Sequence, residues 1–235
     1  MSFNDYDVLA EDYARHNERN AYNAYYERPA TLALAGDVRG LRVLDAGCGS
    51  GAHAEALSSG GASVTGIDSS AGILALARER LGAQALLLHA DLAEPLPLPD
   101  NGFDLVIAPL VLHYLRDWEP TLREFHRVLE PGGRLVFSTH HPTMDFAESS
   151  GEDYFATYAS TEDWPAGDRM VTMRFWHRPL TAMTEALRVS GFAIERLTEP
   201  APVPECRELF PEEYRTISTK PRFLFFATRA VRSGD

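Results

Sequence analysis

The stretch that most constrains this chain is Val43-Leu44-Asp45-Ala46-Gly47-Cys48-Gly49-Ser50-Gly51. A short apolar run, Arg42 to Ala46, ends in glycines at alternate positions, and helix-forming residues follow from Ala52 to Ser59. That order predicts strand, tight turn, helix. A glycine turn has no Cβ in the way, so its backbone can approach a ligand closely. The helix N-terminus behind it suits a carboxylate or a phosphate. A GxGxG turn alone is a weak signal, and the residues that follow it sharpen the reading.

Asp68 ends a second expected strand, Ser63 to Ile67, 17 residues beyond Gly51. An acid at that strand tip can accept hydrogen bonds from a ribose diol. Asp91, in Ala90-Asp91-Leu92, follows a third run from Ala85 to His89. A carboxylate there can accept from an exocyclic adenine amine, while the backbone N–H of Leu92 meets a ring nitrogen. Asp45 stands just before the glycines, where it can meet a cationic ammonium or simply cap the loop.

Strands continue to alternate with helices. Ser69 or Ser70 can cap a helix over Ala71–Leu81. Phe103 to Pro109 is a fourth strand, nearly continuous in apolar residues, as expected when both faces are covered. A helix over Glu119–Leu129, a Pro131-Gly132-Gly133 turn and a strand over Arg134–Thr139 follow. This rhythm predicts an α/β fold with an open, doubly wound, mostly parallel sheet and ligands at its carboxyl edge. The first 38 residues read as helices rich in tyrosine. After Thr139 the rhythm breaks. Strand-like pieces near Tyr154–Tyr158 and Met170–Trp176, with a turn over Asp163–Asp168, suggest a β-hairpin lid. A helix over Pro179–Ser190 and closing strands over Ala193–Leu197 and Arg222–Thr228 complete the chain. The expected organisation is an N-terminal helical extension (1–38), a cofactor-binding core (39–139), an inserted lid (140–178) and a C-terminal completion of the sheet (179–235).

Together, VLDAGCGSG (43–51), VTGIDSS (64–70), ADLAEPLP (90–97), FDLVIAPLVLHYL (103–115) and LREFHRVLEPGGRLVFS (122–138) resemble the class I S-adenosylmethionine-dependent methyltransferases. The likeness is to the small-molecule branch, the methyltransferase type 11 domain, which includes quinone-biosynthesis enzymes. It implies a Rossmann-like sheet of seven strands with the last antiparallel. It also implies S-adenosyl-L-methionine as donor and S-adenosyl-L-homocysteine as product. Carried over by position, Gly47, Cys48, Gly49 and Gly51 pass beneath the methionine and ribose, with Cys48 a small filler. Asp45 reaches the amino end, Asp68 the ribose, and Asp91 and Leu92 the adenine, with Ser69 and Ile73 against its faces. Ala108 offers its carbonyl to the ammonium. A nicotinamide-binding dehydrogenase also wants glycines and an acid, but its third glycine would fall at Ala52.

The implied reaction is methyl transfer by in-line displacement from a sulfonium, so the protein chiefly positions and desolvates the reactants. A general base is needed only if the acceptor carries a proton that must leave. His113, His140 and His141 follow strand ends and are the candidates for that role. Tyr22, Tyr25, Tyr26 and Trp176 are candidates to touch substrate, while Arg28, Arg174 and Arg178 are available to an acidic one.

Acids number 34 against 22 basic residues, a net charge of -12, which argues against nucleic acid as partner and favours a small-molecule acceptor. A tRNA or rRNA methyltransferase is the alternative, and a non-catalytic donor-binding module is a third. Ala108-Pro109-Leu110 lacks the Asn/Asp-Pro-Pro-aromatic pattern of adenine methylation. Two cysteines, Cys48 and Cys206, make no disulfide framework or zinc motif, so no metal is expected. No apolar run reaches membrane-span length and the N-terminus is unlike a signal peptide, so the expectation is a cytoplasmic protein with no membrane partner.

Overall fold

Seven strands form one sheet, whose central strands bury both faces while the two edge strands stay largely half-buried or exposed. The seven are β1 (Arg42–Ala46), β2 (Ser63–Asp68), β3 (Ala85–His89), β4 (Phe103–Pro109), β5 (Leu129–His140), β8 (Phe192–Thr198) and β9 (Phe223–Ala230). The computed structural model describes residues 3–148, 153–166 and 169–231. The sheet order is β3-β2-β1-β4-β5-β9-β8, parallel through β5, with β9 antiparallel to both its neighbours.

Successive strand residues face opposite ways. On β4, Leu105 and Ile107 enter one core, while Val106 and Ala108 enter the other. The first core lies under α2 (Arg28–Ala35), α3 (Ala52–Ser59) and α4 (Ala71–Leu81), which supply Ala35, Leu57 and Leu81. The second lies under α5 (Glu119–Val128) and α7 (Leu180–Val189), which supply Leu122, Phe125, Met183 and Leu187. There Phe137 stacks on Phe226 at 4.6 Å between centroids. Burying one such ring contributes about 1.5–3 kcal/mol. Helices on both faces leave the strand tips as the place for a site. The chain runs outward from β1 to β3, then returns to β4 on the other side of β1. The carboxyl ends of β1 and β4 therefore flank the point where the winding reverses.

Two additions cover that edge. α1 (Tyr6–Asn17) is tied to the start of α4, where Asp7 accepts from the Ser70 hydroxyl at 2.5 Å and from the Gly72 N–H at 2.8 Å. These bonds hold the Asp7 carboxyl below its ordinary range. A π-helical turn, Asn23–Glu27, then runs directly into α2. The second addition is a hairpin of β6 (Tyr158–Ala166) and β7 (Arg169–His177), preceded by α6 (Pro142–Glu148). Asn4 clips the two additions together, donating to the Arg174 carbonyl and accepting from the Arg174 N–H at 2.6 Å.

The hairpin departs from expectation in register. Its first strand begins at Tyr158, where it was expected to end, and Asp163 lies in the ladder opposite Thr172. The Asp163 carboxylate accepts from the Thr172 hydroxyl at 2.7 Å, so a cross-strand bond replaces the expected turn role. The end of that expected turn, 167–168, lies outside the described residues. α6 and two short C-terminal helices, α8 (Glu205–Leu209) and α9 (Pro211–Ile217), occupy segments where no helix was expected. No helix among the described residues is long and apolar enough to cross a membrane.

Candidate active site

The glycine loop is anchored on the neighbouring strand. The N–H groups of Gly47 and Cys48 both donate to the Ile67 carbonyl, at 2.8 and 2.9 Å. The Gly49 N–H donates to the Asp68 carboxylate at 2.9 Å, and the Ser70 N–H donates to its other oxygen at 3.0 Å. Gly47 has φ +74°, and a Cβ there would lie 2.6 Å from Val111. Gly49 has φ +54° with open space where its Cβ would point. The backbone thus forms a bare floor beside Asp68, whose carboxyl is raised by burial.

Above this floor lies a cleft of about 410 Å³. Gly47, Cys48, Gly49, Asp68, Ser69, Ile73, Asp91 and Leu92 all line it. Asp91 is exposed and accepts from the Ala93 N–H at 2.9 Å. Three expected contacts do not line it. Gly51 starts α3, and its missing Cβ makes room for Leu81, 2.8 Å from where that Cβ would sit. Its role is therefore helix packing. Ala108 is fully buried in the core beneath α5, while the next residues, Pro109 and Leu110, reach the cleft. Asp45 is fully buried below the loop, and neither oxygen has a partner of good hydrogen-bond geometry. Burial pushes its carboxyl up to about 6, with the nearby His53 acting the other way.

The N-terminal extension supplies residues that no motif revealed. Glu27 is fully buried yet lines the cleft, accepting from the hydroxyls of Thr31 at 2.6 Å and Ser138 at 2.7 Å. Its second oxygen stands 3.1 Å from His53 Nε2. Burial opposes its charge, but His53 and the two hydroxyls outweigh it and hold the carboxyl below its usual range. Arg28 lines the cleft with a buried Nε that has no partner. Arg174 and Arg178 are engaged elsewhere, over the rings of Phe3 and Trp118.

A second cavity of about 630 Å³ adjoins the cleft. Tyr13, Asn23, Leu110 and Tyr114 line both. Leu110 holds a left-handed φ of +47°, and its N–H bonds the Ser138 carbonyl at 3.1 Å. Such backbone strain in a non-glycine residue persists only where surrounding structure enforces it, and here it sits where the two spaces meet. Tyr22, His113 and His140 line the second cavity, together with Trp164, Arg222 and Phe223.

Four expected residues do not. Tyr26 is buried and stacks on Phe223 at 5.3 Å as part of the C-terminal core. Tyr25 packs on Phe210, and its carbonyl accepts from the Val203 N–H. Trp176 lies under the Arg116 guanidinium at 5.5 Å. His141 accepts from the Thr143 N–H and sits 2.8 Å from Glu199, away from the cavity.

The histidines that line the cavity lie face to face, His113 on His140 at 3.9 Å and 16°. His113 is buried, and burial first, then His140, drives its pKa well below the usual histidine value. The walls also carry a tyrosine cluster in which the Tyr6 and Tyr114 hydroxyls bond each other. Burial raises both, and pushes Tyr13 up to about 12, so these rings act as neutral walls.

Comparison with known proteins agrees with this geometry. The family described as "Methyltransferase domain" matches residues 44–137. A malonyl-[acyl-carrier protein] O-methyltransferase of Enterobacter lignolyticus is 31% identical over 191 residues, covering 81% of this chain and 69% of that protein. The like-named enzyme of Serratia marcescens is 38% identical over 108 residues, only 42% of its length. The crystal structure of an S-adenosylmethionine-dependent methyltransferase from Mesorhizobium loti aligns with TM-score 0.70 and 30% identity, covering 91% of this chain and all of that one. The sheet order, the glycine floor with its strand-tip acids, and these relatives place the chain in the class I S-adenosylmethionine-dependent methyltransferases, with S-adenosylmethionine as its methyl donor.

Proposed function

We propose that the cleft holds the donor and the adjoining cavity holds a small organic acceptor, with methyl transfer across their shared wall. The observation that carries this reading is that wall itself. Tyr13, Asn23, Leu110 and Tyr114 belong to both spaces. A donor sulfonium beside them faces directly into a chamber of ligand size.

The residues of the cleft fit the donor's chemistry. Its amino-acid end is a zwitterion, and groups of both charges stand in the cleft or beneath its loop. The unpartnered Nε of Arg28 suits the carboxylate. Glu27 at the wall and Asp45 beneath the loop supply negative charge for the ammonium and the sulfonium. The bare backbone at Gly49 leaves room for the ribose, with Asp68 beside it to accept from the hydroxyls. Asp91 and Leu92 stand where adenine would be read, against Ile73. The bound donor supplies an electrophilic methyl group. The protein's own contribution is to hold the acceptor in line behind it and keep water out, using α1 and the hairpin as cover.

Acceptance of a nucleic acid is disfavoured by the net charge of -12 and by the aromatic, helix-covered walls of the cavity. The experiment is to offer methyl-labelled S-adenosylmethionine with a panel of small hydroxylated and amino compounds, and separately with bulk tRNA. Label in the small-molecule fraction supports the reading. Label in tRNA, with salt-sensitive binding, overturns it.

A further inference from the structure

We propose that His140, oriented by Asp145, is the general base of this reaction, and that the acceptor presents an ionisable O–H or N–H on a neutral, planar body. The inference rests on the methyl-transfer reading and carries it to one residue and one acceptor class.

The three candidate histidines are not equivalent. Both ring nitrogens of His141 are engaged, Nδ1 by the Thr143 N–H and Nε2 by Glu199. His113 is buried with an unpartnered Nδ1, and burial disfavours its protonation. His140 alone combines a cavity-lining position with a carboxylate at its back. It is the last residue of β5, and its Nδ1 lies 3.1 Å from an oxygen of Asp145 on α6. Their side chains are 19% and 16% exposed. A carboxylate can only accept, so it selects the tautomer with the proton on Nδ1. The lone pair is then on Nε2, on the far side of the ring from Asp145. Stacking by His113 and a tilted contact from Phe175 at 5.1 Å clamp the ring. Neutral His113 does not compete for the proton.

The same short helix settles the charge of the cavity. Glu148, one turn beyond Asp145, binds Arg222 with both oxygens at 2.5 Å. The arginine in the cavity wall is therefore already neutralised, and Asp12 lines the same space. Among the described residues, the charged or titratable groups around His140 are thus Asp145, His113, the Arg222–Glu148 pair, Asp12, His16, the phenols of Tyr13, Tyr22 and Tyr114 and, toward Asp145, Arg178. That set does not recruit an anion. Aromatic walls from Tyr22, Tyr114, Trp164 and Phe223 suit a planar neutral molecule. A carboxylate acceptor would have no proton for this base to take.

In the step, the acceptor proton moves to Nε2 of His140, and Asp145 stabilises the resulting imidazolium. The freed electron pair on the acceptor oxygen or nitrogen forms the new bond to the methyl carbon. The carbon–sulfur bond breaks and its pair stays on sulfur. The proton later leaves Nε2 for water.

The test is nitrogen NMR of the full chain labelled with 15N-histidine and saturated with S-adenosylhomocysteine, using His140→Gln to assign the signal. The expected result is a protonated Nδ1 and a bare Nε2 at His140. Asp145→Leu should lose that tautomer, and Asp145→Asn, whose side-chain oxygen still accepts, should restore it. A wild-type His140 carrying its proton on Nε2, or one unmoved by Asp145→Leu, overturns the proposal. Calorimetry keeps the parent reading separate. No heat with S-adenosylhomocysteine would sink the donor site, whereas tight binding with the wrong tautomer would sink only the base.

Discussion

The cleft and the cavity that we assign to donor and acceptor share a wall but are built in opposite ways. The cleft floor is mostly backbone, from turns that directly follow β1, β2 and β3, and its hydrogen bonds run between neighbouring strand tips. The cavity is mostly side chains, gathered from α1, the turn after β4, the end of β5, the hairpin and the start of β9. Backbone recognition needs glycines and short acids at set spacings. Side-chain recognition needs only that distant elements meet. The first leaves a pattern in the chain, and the second does not.

This contrast can be broken most forcefully at the floor. Gly47→Ala places a Cβ 2.6 Å from Val111 at a left-handed φ. Such overpacking with strain should cost about 1–3 kcal/mol of stability. It should also abolish measurable S-adenosylhomocysteine binding by calorimetry. Next, Arg28→Ala and Asp68→Ala each remove a charge-assisted contact and should weaken that binding by about 1.5–3 kcal/mol. Asp68→Ala should in addition lower the melting temperature, because the Gly49 and Ser70 N–H groups lose their acceptor. Retained affinity in either variant would place that part of the donor elsewhere.

Asp45 sharpens the comparison through pH. Its folded carboxyl is raised to about 6 by burial, so the ionised form is penalised in the fold. The sign follows from linkage: the folded state holds the proton longer, so stability is lost as pH rises from about 4 to about 6. Asp45→Asn should flatten that loss, leaving the donor-free protein about 1–3 kcal/mol more stable at pH 8 than the wild type. The same change should weaken donor binding if the ammonium relies on that charge. Chemical denaturation at pH 5 and 8, with and without S-adenosylhomocysteine, reads both effects. The smallest effect belongs to the other region. Tyr22→Ala lines the cavity alone, so it should change S-adenosylhomocysteine affinity by less than about 0.5 kcal/mol while altering acceptor turnover. A large loss of donor affinity would dissolve the distinction between the two spaces.

The strand–helix alternation was legible because residues 43–46 and 103–109 are apolar apart from Asp45 and Asp104, a pattern that suits a covered parallel sheet. Asp68, Ser69 and Ile73 were legible because they lie within a few residues of a strand end. Gly51 was misplaced because its spacing looks the same whether the missing Cβ makes room for a ligand or, as here, for Leu81. Ala108 was misplaced by one strand position, which turns a residue from cavity to core. Glu27 had no signal at all. Nothing in Tyr25-Tyr26-Glu27-Arg28 says that a π-helical turn will swing a carboxylate against Ser138, 111 residues away. His140 and His141 were equivalent on the page of the sequence. The strand ends with His140 at the cavity, and His141 leads into α6, where it meets Glu199.

What the chain determined by itself was the winding of the sheet and the glycine floor of the cleft, since both follow from local periodicity and from glycines at bends. What only the tertiary structure decided was the second cavity and the partner of each histidine. Those depend on packing α1, α6 and the hairpin over the strand tips, and such long-range contacts leave no spacing to read.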